Sequence, residues 1–163
     1  AEAEAFFRSQ TEMLTAVENM EKTGKSAAFF HITSNGAAVV RTSADYVTRM
    51  MELAGGESIF RDLPGDDTAL STVTMQMEAF YAQAQDADVL IYNSTASAEL
   101  HSLQELLEMC PLLKDLRAVR NGEVWCTEKS MFQQSSATAE MIADFHAVFS
   151  GETGSLHYLY RLT

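Results

Sequence analysis

The stretch that decides the fold is Asp115–Thr127, which reads DLRAVRNGEVWCT. An apolar Ala118-Val119 pair is followed by Asn121-Gly122, and both residues of that second pair tolerate positive φ, so they reverse the chain sharply. Apolar residues then resume at once, which predicts a strand over Glu123 to Thr127. The stretch therefore predicts a buried segment, a tight turn and a strand in immediate succession.

Apolar runs on either side of this stretch predict further strands. Ala27–Thr33 is a short apolar run that a Ser34-Asn35-Gly36 turn ends. Asp88–Tyr92 is almost continuously apolar, which is typical of a central parallel strand buried on both faces. We also expect a short extended piece at Ala38–Arg41 and a short edge strand at Ile59–Arg61. The amphipathic tail, Leu156–Tyr160, is expected to dock on the body of the domain.

Helical periodicity occupies the segments between these strands. The predicted helices cover residues 1–22, the segment from a Thr42/Asp45 capping box to Gly55-Gly56, Thr74–Ala84 with Thr74 as its cap, Leu100 to Pro111, and Ser136 to Gly151. Strands and helices alternate and the loops are short. This order predicts a single α/β domain with three αβα layers around a mostly parallel central sheet.

Length and charge restrict the function further. The chain has 163 residues, 47% of them hydrophobic, which suits one domain with a substantial core. No apolar run approaches the ~18 residues of a membrane span, and the chain begins without Met or a visible signal peptide, so its start is expected to be a domain boundary. The net charge of -12 makes nucleic-acid binding unfavourable, because phosphate contacts need clustered cations.

Motifs for metal binding or catalysis are missing from the sequence. Cys110 and Cys126 do not form a CxxC pair; a disulfide is possible in an exported protein, and two buried free thiols are favoured. The four histidines are scattered, and only His31 falls at a predicted strand end. No GxSxG, P-loop or GxGxxG is present, so we expect no enzymatic activity.

Several motifs occur in the order found in one transporter family. AVRNGEVW resembles the "pAVKNGxVY" signature of ABC-transporter substrate-binding proteins that capture iron-siderophores, haem and cobalamin. MELAGG at Met51–Gly56 is similar to the family's "ielaGG" helix stop. DADVLIYN at Asp86–Asn93 is similar to its "PDviiv" strand, with Ala87 where Pro is usual. Met141–His146 and Tyr158–Leu162 resemble the terminal helix and tail of Gram-positive members.

This resemblance implies one lobe of a bilobed class III (TroA-like) solute-binding protein. Residues 1–22 would be the end of, or successor to, the interdomain helix, and residues 23–163 the C-terminal lobe, with the N-terminal lobe outside this chain. The ligand would be a metal chelate such as a ferric siderophore, haem or cobalamin, with no resident cofactor. The other partners would be the N-terminal lobe and the ABC permease. The location would be extracytoplasmic, as a periplasmic protein or a membrane-anchored cell-surface lipoprotein.

Ligands of open α/β sheets bind outside the carboxyl ends of the strands. Three loops qualify: Ser34–Arg41, Asn93–Ser97 and Lys129–Ser135. The predicted ligand-binding residues are Asn35, Arg41, Tyr46, Asn93, Ser94, Thr95, Met131, Phe132, Gln133 and Gln134. Arg41 is the leading candidate, because a guanidinium can clamp a carboxylate or the anionic oxygens of a ferric chelate. The competing interpretation is a surface arginine paired with one of the many acids.

Glu78 is the predicted contact to the permease. It occupies the position of the family's "vsxE" glutamate, which meets an arginine pocket on the transmembrane subunit, and Met77 and Phe80 are expected to face the core while Glu78 points outward. Electrostatic docking of a surface acid would supply the mechanism. An ordinary exposed helix glutamate is the alternative.

Two other functions stay open from the residues alone. A stand-alone flavodoxin-like domain could bind a nucleotide or flavin, with Asn93–Ser97 cradling phosphate, although no glycine-rich first loop supports it. An interaction domain could instead use the acidic surface to bind another protein.

Overall fold

A computed structural model describes residues 3–5, 8, 11–12, 15, 22–43, 45–63, 72–131, 138–151 and 156–163. Within the predicted first helix, residues 3–5, 8, 11–12 and 15 are helical and Lys22 is not, and the rest of that prediction lies outside the described residues. The predicted helix start at Ser136 lies outside them too. No helix in the described ranges combines the length and apolar character needed to cross a membrane.

Seven strands in the described part of the chain form one mixed sheet. They are β1 (Ser26–Ile32), β2 (Ala38–Arg41), β3 (Glu57–Ser58), β4 (Thr72–Met75), β5 (Val89–Tyr92), β6 (Val124–Thr127) and β7 (Leu159–Arg161). The order across the sheet is β4-β2-β1-β5-β6-β7, and β3 pairs with the amino-terminal end of β1. Only β2 and β7 run against the other five strands, so the prediction of a mostly parallel sheet is confirmed.

Helices cover both faces of this sheet. They are α1 (Tyr46–Leu53), α2 (Met77–Ala84), α3 (Leu103–Met109), α4 (Arg117–Arg120) and α5 (Thr138–Ser150), with 3-10 turns at Ser94–Ala96 and Pro111–Asp115. Alternate strand residues enter two separate cores. Phe30, Leu90 and Tyr92 pack with α2 and α3, whereas Phe29 and Ile91 pack with α1 and α5. The predicted three-layer α/β architecture is therefore confirmed.

The turn at Asn121-Gly122 is formed as the sequence predicts. Gly122 has φ +73° and its N–H donates to the Val119 carbonyl over 3.2 Å. The Glu123 N–H donates to the carbonyl of the buried Ala118 over 2.8 Å, which ties the turn to α4 as β6 begins. Asn121 itself stays in the right-handed region at φ -90°, so only the glycine needs positive φ.

Three local predictions differ from the structure by a few residues. Asp45 rather than Thr42 caps α1, because its Oδ1 accepts the Val47 N–H over 2.8 Å. Thr74 lies inside β4, and α2 begins after Gln76. The short strand beside β1 is Glu57–Ser58, two residues before the predicted Ile59–Arg61.

The carboxyl-terminal tail does more than dock on the body of the domain. Leu159–Arg161 joins the sheet as β7 and pairs antiparallel with β6. The two cysteines are free: Cys126 is buried in β6, and Cys110 is half-buried at the end of α3. The preference for free thiols over a disulfide is confirmed, although only one of the two is fully buried.

Candidate functional site

The carboxyl ends of β1, β5 and β6 meet at one edge of the sheet. Continuing the pairing Phe30–Tyr92–Cys126 by one residue brings His31, Asn93 and Thr127 side by side. These three residues, here called the polar row, share the face of Phe29, Ile91 and Trp125, which is the face covered by α1 and α5. A line of polar groups therefore ends an otherwise apolar core, where α/β proteins bind ligands.

The loop after β5 is fastened to β6. The Ser94 N–H donates to Thr127 Oγ1 over 2.9 Å, and the Ser94 hydroxyl donates to the Thr127 carbonyl oxygen. Both side chains are fully buried. The Asn93 N–H donates to the Phe30 carbonyl over 2.7 Å, so the loop is also fixed to β1. Ser94, a predicted ligand contact, thus uses its hydroxyl to hold the loop in place.

The Asn93 side chain is only half satisfied. Its Oδ1 accepts the Thr95 N–H over 3.1 Å and the Thr95 hydroxyl over 2.5 Å. Its Nδ2 is buried and has no hydrogen-bond partner. Only 1% of the residue is exposed. A buried donor without an acceptor is costly, which makes this amide the most unusual polar group at the edge.

The same loop is poorly suited to hold phosphate. A phosphate cradle needs backbone N–H groups that point outward and lack partners. Here the N–H groups of Ser94, Thr95 and Ser97 donate to Thr127 Oγ1, Asn93 Oδ1 and the Ser94 carbonyl. This arrangement argues against the flavodoxin-like alternative.

Arg41, Asp45 and Tyr46 form a charged cluster next to the polar row. Arg41 Nη1 lies 3.1 Å from Asp45 Oδ2, with side-chain exposures of 19% and 2%. Arg41 is thus paired with an acid, as the competing interpretation expected, but the pair is too buried to be an ordinary surface ion pair. Asp45 both caps α1 and fixes the guanidinium. Tyr46 is the exposed member, at 51%.

Electrostatics link His31 to this cluster. Burial, and secondarily the positive charge of Arg41, lower the pKa of His31, so the imidazole is held neutral near pH 7. Burial chiefly raises the pKa of Tyr46; the Asp45 carboxylate raises it further, and Arg41 opposes both. His31 and Arg41 lie on the same face of β1 and β2. The edge therefore combines one fixed cation with neutral hydrogen-bonding groups.

The remaining predicted site residues are dispersed. Asn35 is exposed in the β1–β2 turn, and Met131 is buried in the core beneath α5. Glu78 is exposed in the first turn of α2, while Met77 and Phe80 are buried, as predicted. Phe132, Gln133 and Gln134 lie outside the described residues.

Sequence reasoning did not single out Thr127 or Asp45. Thr127 is the last residue of a predicted strand. Counting the final residue of each strand together with the loop that follows it would have identified Thr127 as a candidate. The capping-box pattern explains Asp45 by a helix start alone and gives no sign of its contact with Arg41.

Two cavities in the described part of the chain lie away from the polar row. An open groove of about 620 Å³ is lined by Leu103, Gln104, Leu107, Glu108, Pro111 and Thr163. A smaller pocket of about 230 Å³ is lined by Lys22, Gly24, Glu52, Gly55, Gly56, Glu57 and Arg61. We place the site at the polar row because its buried polar groups carry recognition chemistry. In the described ranges, no group of three or more His, Cys, Asp or Glu is placed to hold a metal ion.

Comparison with known proteins identifies the fold. No protein-family model matches the sequence, and no curated protein matches it. Among solved structures, an ABC-type Fe3+-hydroxamate transport protein from Saccharomonospora viridis matches with a TM-score of 0.67 and 18% identity, over 90% of this chain and 49% of its own. A periplasmic heme-binding protein from Pseudomonas aeruginosa matches with a TM-score of 0.66 and 15% identity, over 99% of this chain and 56% of its own.

A siderophore periplasmic binding protein from Thermobifida fusca matches similarly, with a TM-score of 0.62 and 21% identity, over 92% of this chain and 52% of its own. This chain thus spans about half the length of the solved structures that it matches. It therefore has the fold of one lobe of an ABC-type periplasmic binding protein of the group that includes these Fe3+-hydroxamate, heme and siderophore proteins.

Proposed function

We propose that this chain is the C-terminal lobe of the extracytoplasmic substrate-binding component of an ABC importer. The observation that carries the proposal is the polar row with its charged cluster, which lies at the carboxyl edge of the sheet. The fold around it matches about half the length of an ABC-type transport protein. The lobe binds its ligand and performs no chemical step. Its partner surface is an N-terminal lobe of the same protein, which supplies the other wall of the cleft.

The proposed ligand is a metal chelate: a ferric siderophore, haem or a corrinoid such as cobalamin. Arg41 would contact its anionic oxygens, because a guanidinium pre-positioned by Asp45 loses little freedom on binding. Tyr46, exposed beside it, would cover one face of the chelate. The solved structures with a similar fold are named as Fe3+-hydroxamate, heme and siderophore proteins, which supports this class of ligand.

The proposed partner after ligand capture is the permease of the importer. Met75 pairs with Ala38 at the level of Ile32, so α2 begins at the same edge of the sheet as the polar row. Glu78 is exposed there and would meet a basic pocket. The proposed location is periplasmic or, as a lipoprotein, on the cell surface.

Titration of the full-length, two-lobed protein tests the proposal. Trp125 is buried two residues before Thr127, so its fluorescence is quenched when an absorbing chelate binds nearby. We expect saturable quenching at about micromolar affinity or tighter by one class among a ferric trihydroxamate, a ferric tris-catecholate, haem and cobalamin. A folded protein that responds to none of the four would overturn the proposal.

Arg41→Gln is the informative variant for this titration. Loss of a charged contact to a chelate oxygen should weaken binding by about 10- to 100-fold, which corresponds to about 1.4–2.7 kcal/mol. Arg61→Gln is the matched control, because Arg61 also pairs with an acid four residues away, Glu57, at 3.1 Å, but lies at the opposite edge of the sheet. Equal affinities for both variants would contradict the assignment of Arg41.

A further inference from the structure

Asparagine is followed by glycine at two places in the chain, Asn35-Gly36 and Asn121-Gly122. Such a pair is prone to a spontaneous reaction, because glycine has no side chain to shield its backbone nitrogen from the amide of the preceding residue. In both pairs the asparagine is exposed and the glycine has positive φ, +80° for Gly36 and +73° for Gly122. The sequence alone therefore assigns both asparagines the same reactivity.

The turn at Asn121 is fastened to the body of the domain. The Glu123 carbonyl accepts the N–H of Leu90 in β5 over 3.0 Å, and Nη1 of Arg161 in β7 donates to the Gly122 carbonyl over 2.6 Å. Gly122 is also only half-buried, beneath this guanidinium. Rotating the backbone at Asn121 until its side chain meets the glycine nitrogen would break bonds to two strands of the sheet.

The turn at Asn35 is held differently. The Gly36 N–H donates to the Thr33 carbonyl over 2.9 Å, the Thr33 N–H donates to the Ala37 carbonyl over 2.9 Å, and Thr33 Oγ1 accepts the Ala37 N–H over 3.1 Å. All three bonds lie within residues 33–37, and Ser34, Asn35 and Gly36 are exposed. Opening this turn breaks only local bonds, so it costs less free energy than opening the turn at Asn121.

We propose that Asn35 is a site of spontaneous deamidation and that the fold protects Asn121 from the same reaction. The backbone nitrogen of Gly36 loses its proton to base and attacks Cγ of Asn35. A bond forms between this nitrogen and Cγ, the bond from Cγ to Nδ2 breaks, and Nδ2 takes up a proton and leaves as ammonia. The product is a cyclic succinimide. No atom is oxidised or reduced.

Water then opens the succinimide at either of its carbonyl carbons. Cleavage of the new bond to Cγ restores the normal backbone and leaves aspartate at position 35. Cleavage at the main-chain carbonyl leaves the chain running through Cγ, which is isoaspartate. Both products carry a negative charge that asparagine lacks. The reaction needs no ligand and is independent of the proposed function.

Isoaspartate would lengthen the backbone of the turn that joins β1 to β2. A hairpin turn sets the register of its strands, and this hairpin carries His31 and Arg41. In the isoaspartate form we expect the N–H groups of Thr33 and Ala37 to exchange faster with solvent, because their hydrogen bonds close the turn. Asn35→Asp, which adds the same charge on a normal backbone, is the control and should keep the wild-type protection.

Peptide mapping by mass spectrometry, after incubation of the full-length protein at mildly alkaline pH, measures the reaction at each asparagine. We expect conversion at Asn35 to be at least about tenfold faster than at Asn121, the ratio that a difference of about 1.4 kcal/mol in opening free energy produces. In urea both should convert at similar rates, because unfolding removes the contacts that distinguish them.

Arg161→Gln tests the protection directly. It removes the guanidinium bond to the Gly122 carbonyl, so it should raise the rate at Asn121 and leave the rate at Asn35 unchanged. Equal rates at the two asparagines in the folded wild type would overturn the proposal. So would a folded protein that stays unmodified at Asn35 while the sample in urea is converted there.

Discussion

Gly55 and Gly56 are adjacent glycines that are required for different physical reasons. Gly55 has φ +91°, and the N–H groups of Gly55 and Gly56 donate to the carbonyls of Glu52 and Met51 over 3.0 Å each. This is the hydrogen-bond pattern of a Schellman motif, which ends α1. A Cβ on Gly56 would lie 2.4–2.7 Å from ring atoms of Phe149. The helix stop was visible in the sequence, whereas the contact with α5 was not.

Replacing Gly56 by Ala should therefore destabilise the fold. Phe149 is fully buried, so its ring has no room to move away from the new methyl group. We expect the free energy of unfolding to fall by about 1–3 kcal/mol, measured by urea denaturation. In a Phe149→Leu background the same replacement should cost less, because the clashing ring atoms are gone. Strictly additive effects of the two substitutions would contradict this explanation.

His31 should make the stability depend on pH. Its pKa is lowered in the folded protein, through burial and through Arg41, so the unfolded chain binds a proton more readily. The contribution of the neutral imidazole is complete above its unfolded pKa of about 6.5 and is lost as the pH falls through the folded value. Arg41 is the charged group that acts on His31, and Arg41 is itself paired with Asp45.

Acidification from about pH 7.5 to about pH 5.5 should thus lower the unfolding free energy of the wild type more than that of His31→Gln. Urea denaturation at both pH values measures the difference. Parallel losses in the two proteins would show that the imidazole does not contribute.

The position of a side chain was predicted correctly where it follows the end of a single strand, as for Asn93 directly after β5. Prediction failed where a contact or its burial depends on the tertiary fold. The Arg41–Asp45 pair is four residues apart, but its burial depends on α1 folding back beside β2. The Ser94–Thr127 bonds join residues 33 apart, through the pairing of β5 and β6. Whether a residue follows a strand depends on the local sequence, whereas the pairing register of two strands depends on residues that are far apart in the chain.

Among the elements, the carboxyl-terminal tail depends most on one side chain. Asp144 of α5 is 2% exposed, and its Oδ2 accepts the N–H groups of His157, Tyr158 and Leu159 over 2.6–3.2 Å. Burial raises the pKa of this carboxyl group, and the three backbone donors act in the opposite direction. The chain enters β7 directly from this anchor, which is why the tail pairs with β6.

Asp144→Ala should release β7. Three N–H donors, of which that of Leu159 is buried, would lose their acceptor, so we expect a loss of about 2–3 kcal/mol in unfolding free energy and faster hydrogen exchange at residues 157–161. Glu140→Gln, which alters only the 3.3 Å bond from the Tyr158 hydroxyl on the same helix, is the control and should leave exchange in β7 nearly unchanged. Normal protection of β7 in Asp144→Ala would show that the pairing with β6 suffices.

The strands differ in how well the sequence predicts them. β1 and β5 are continuous apolar runs, buried along nearly their whole length, and were found. β4 was missed although Thr72–Met75 alternates polar and apolar residues, because the segment is short and partly exposed and forms its ladder by pairing with β2. A central strand is determined by its own burial, whereas an edge strand is determined by its neighbour.

Over the whole molecule, charge bears on the proposed docking to a permease. The net charge of -12 would attract any basic surface from all sides, so a specific role for Glu78 must be separated from that general field. The fold offers a way to do so, because Glu78 lies at the carboxyl edge and Glu52 lies at the end of α1, near the amino end of β1. Both side chains are exposed.

Glu78→Lys and Glu52→Lys change the net charge by the same amount. In the full-length protein, with its permease in proteoliposomes, we expect Glu78→Lys to reduce the transport rate at least about tenfold, since one favourable contact is replaced by a repulsive one. Glu52→Lys should transport at nearly the wild-type rate. Chelate affinity, measured by Trp125 quenching, should be unchanged in both, because neither residue lies in the polar row. Equal transport by the two variants would assign the acidic surface a general electrostatic role and remove Glu78 from the proposed contact.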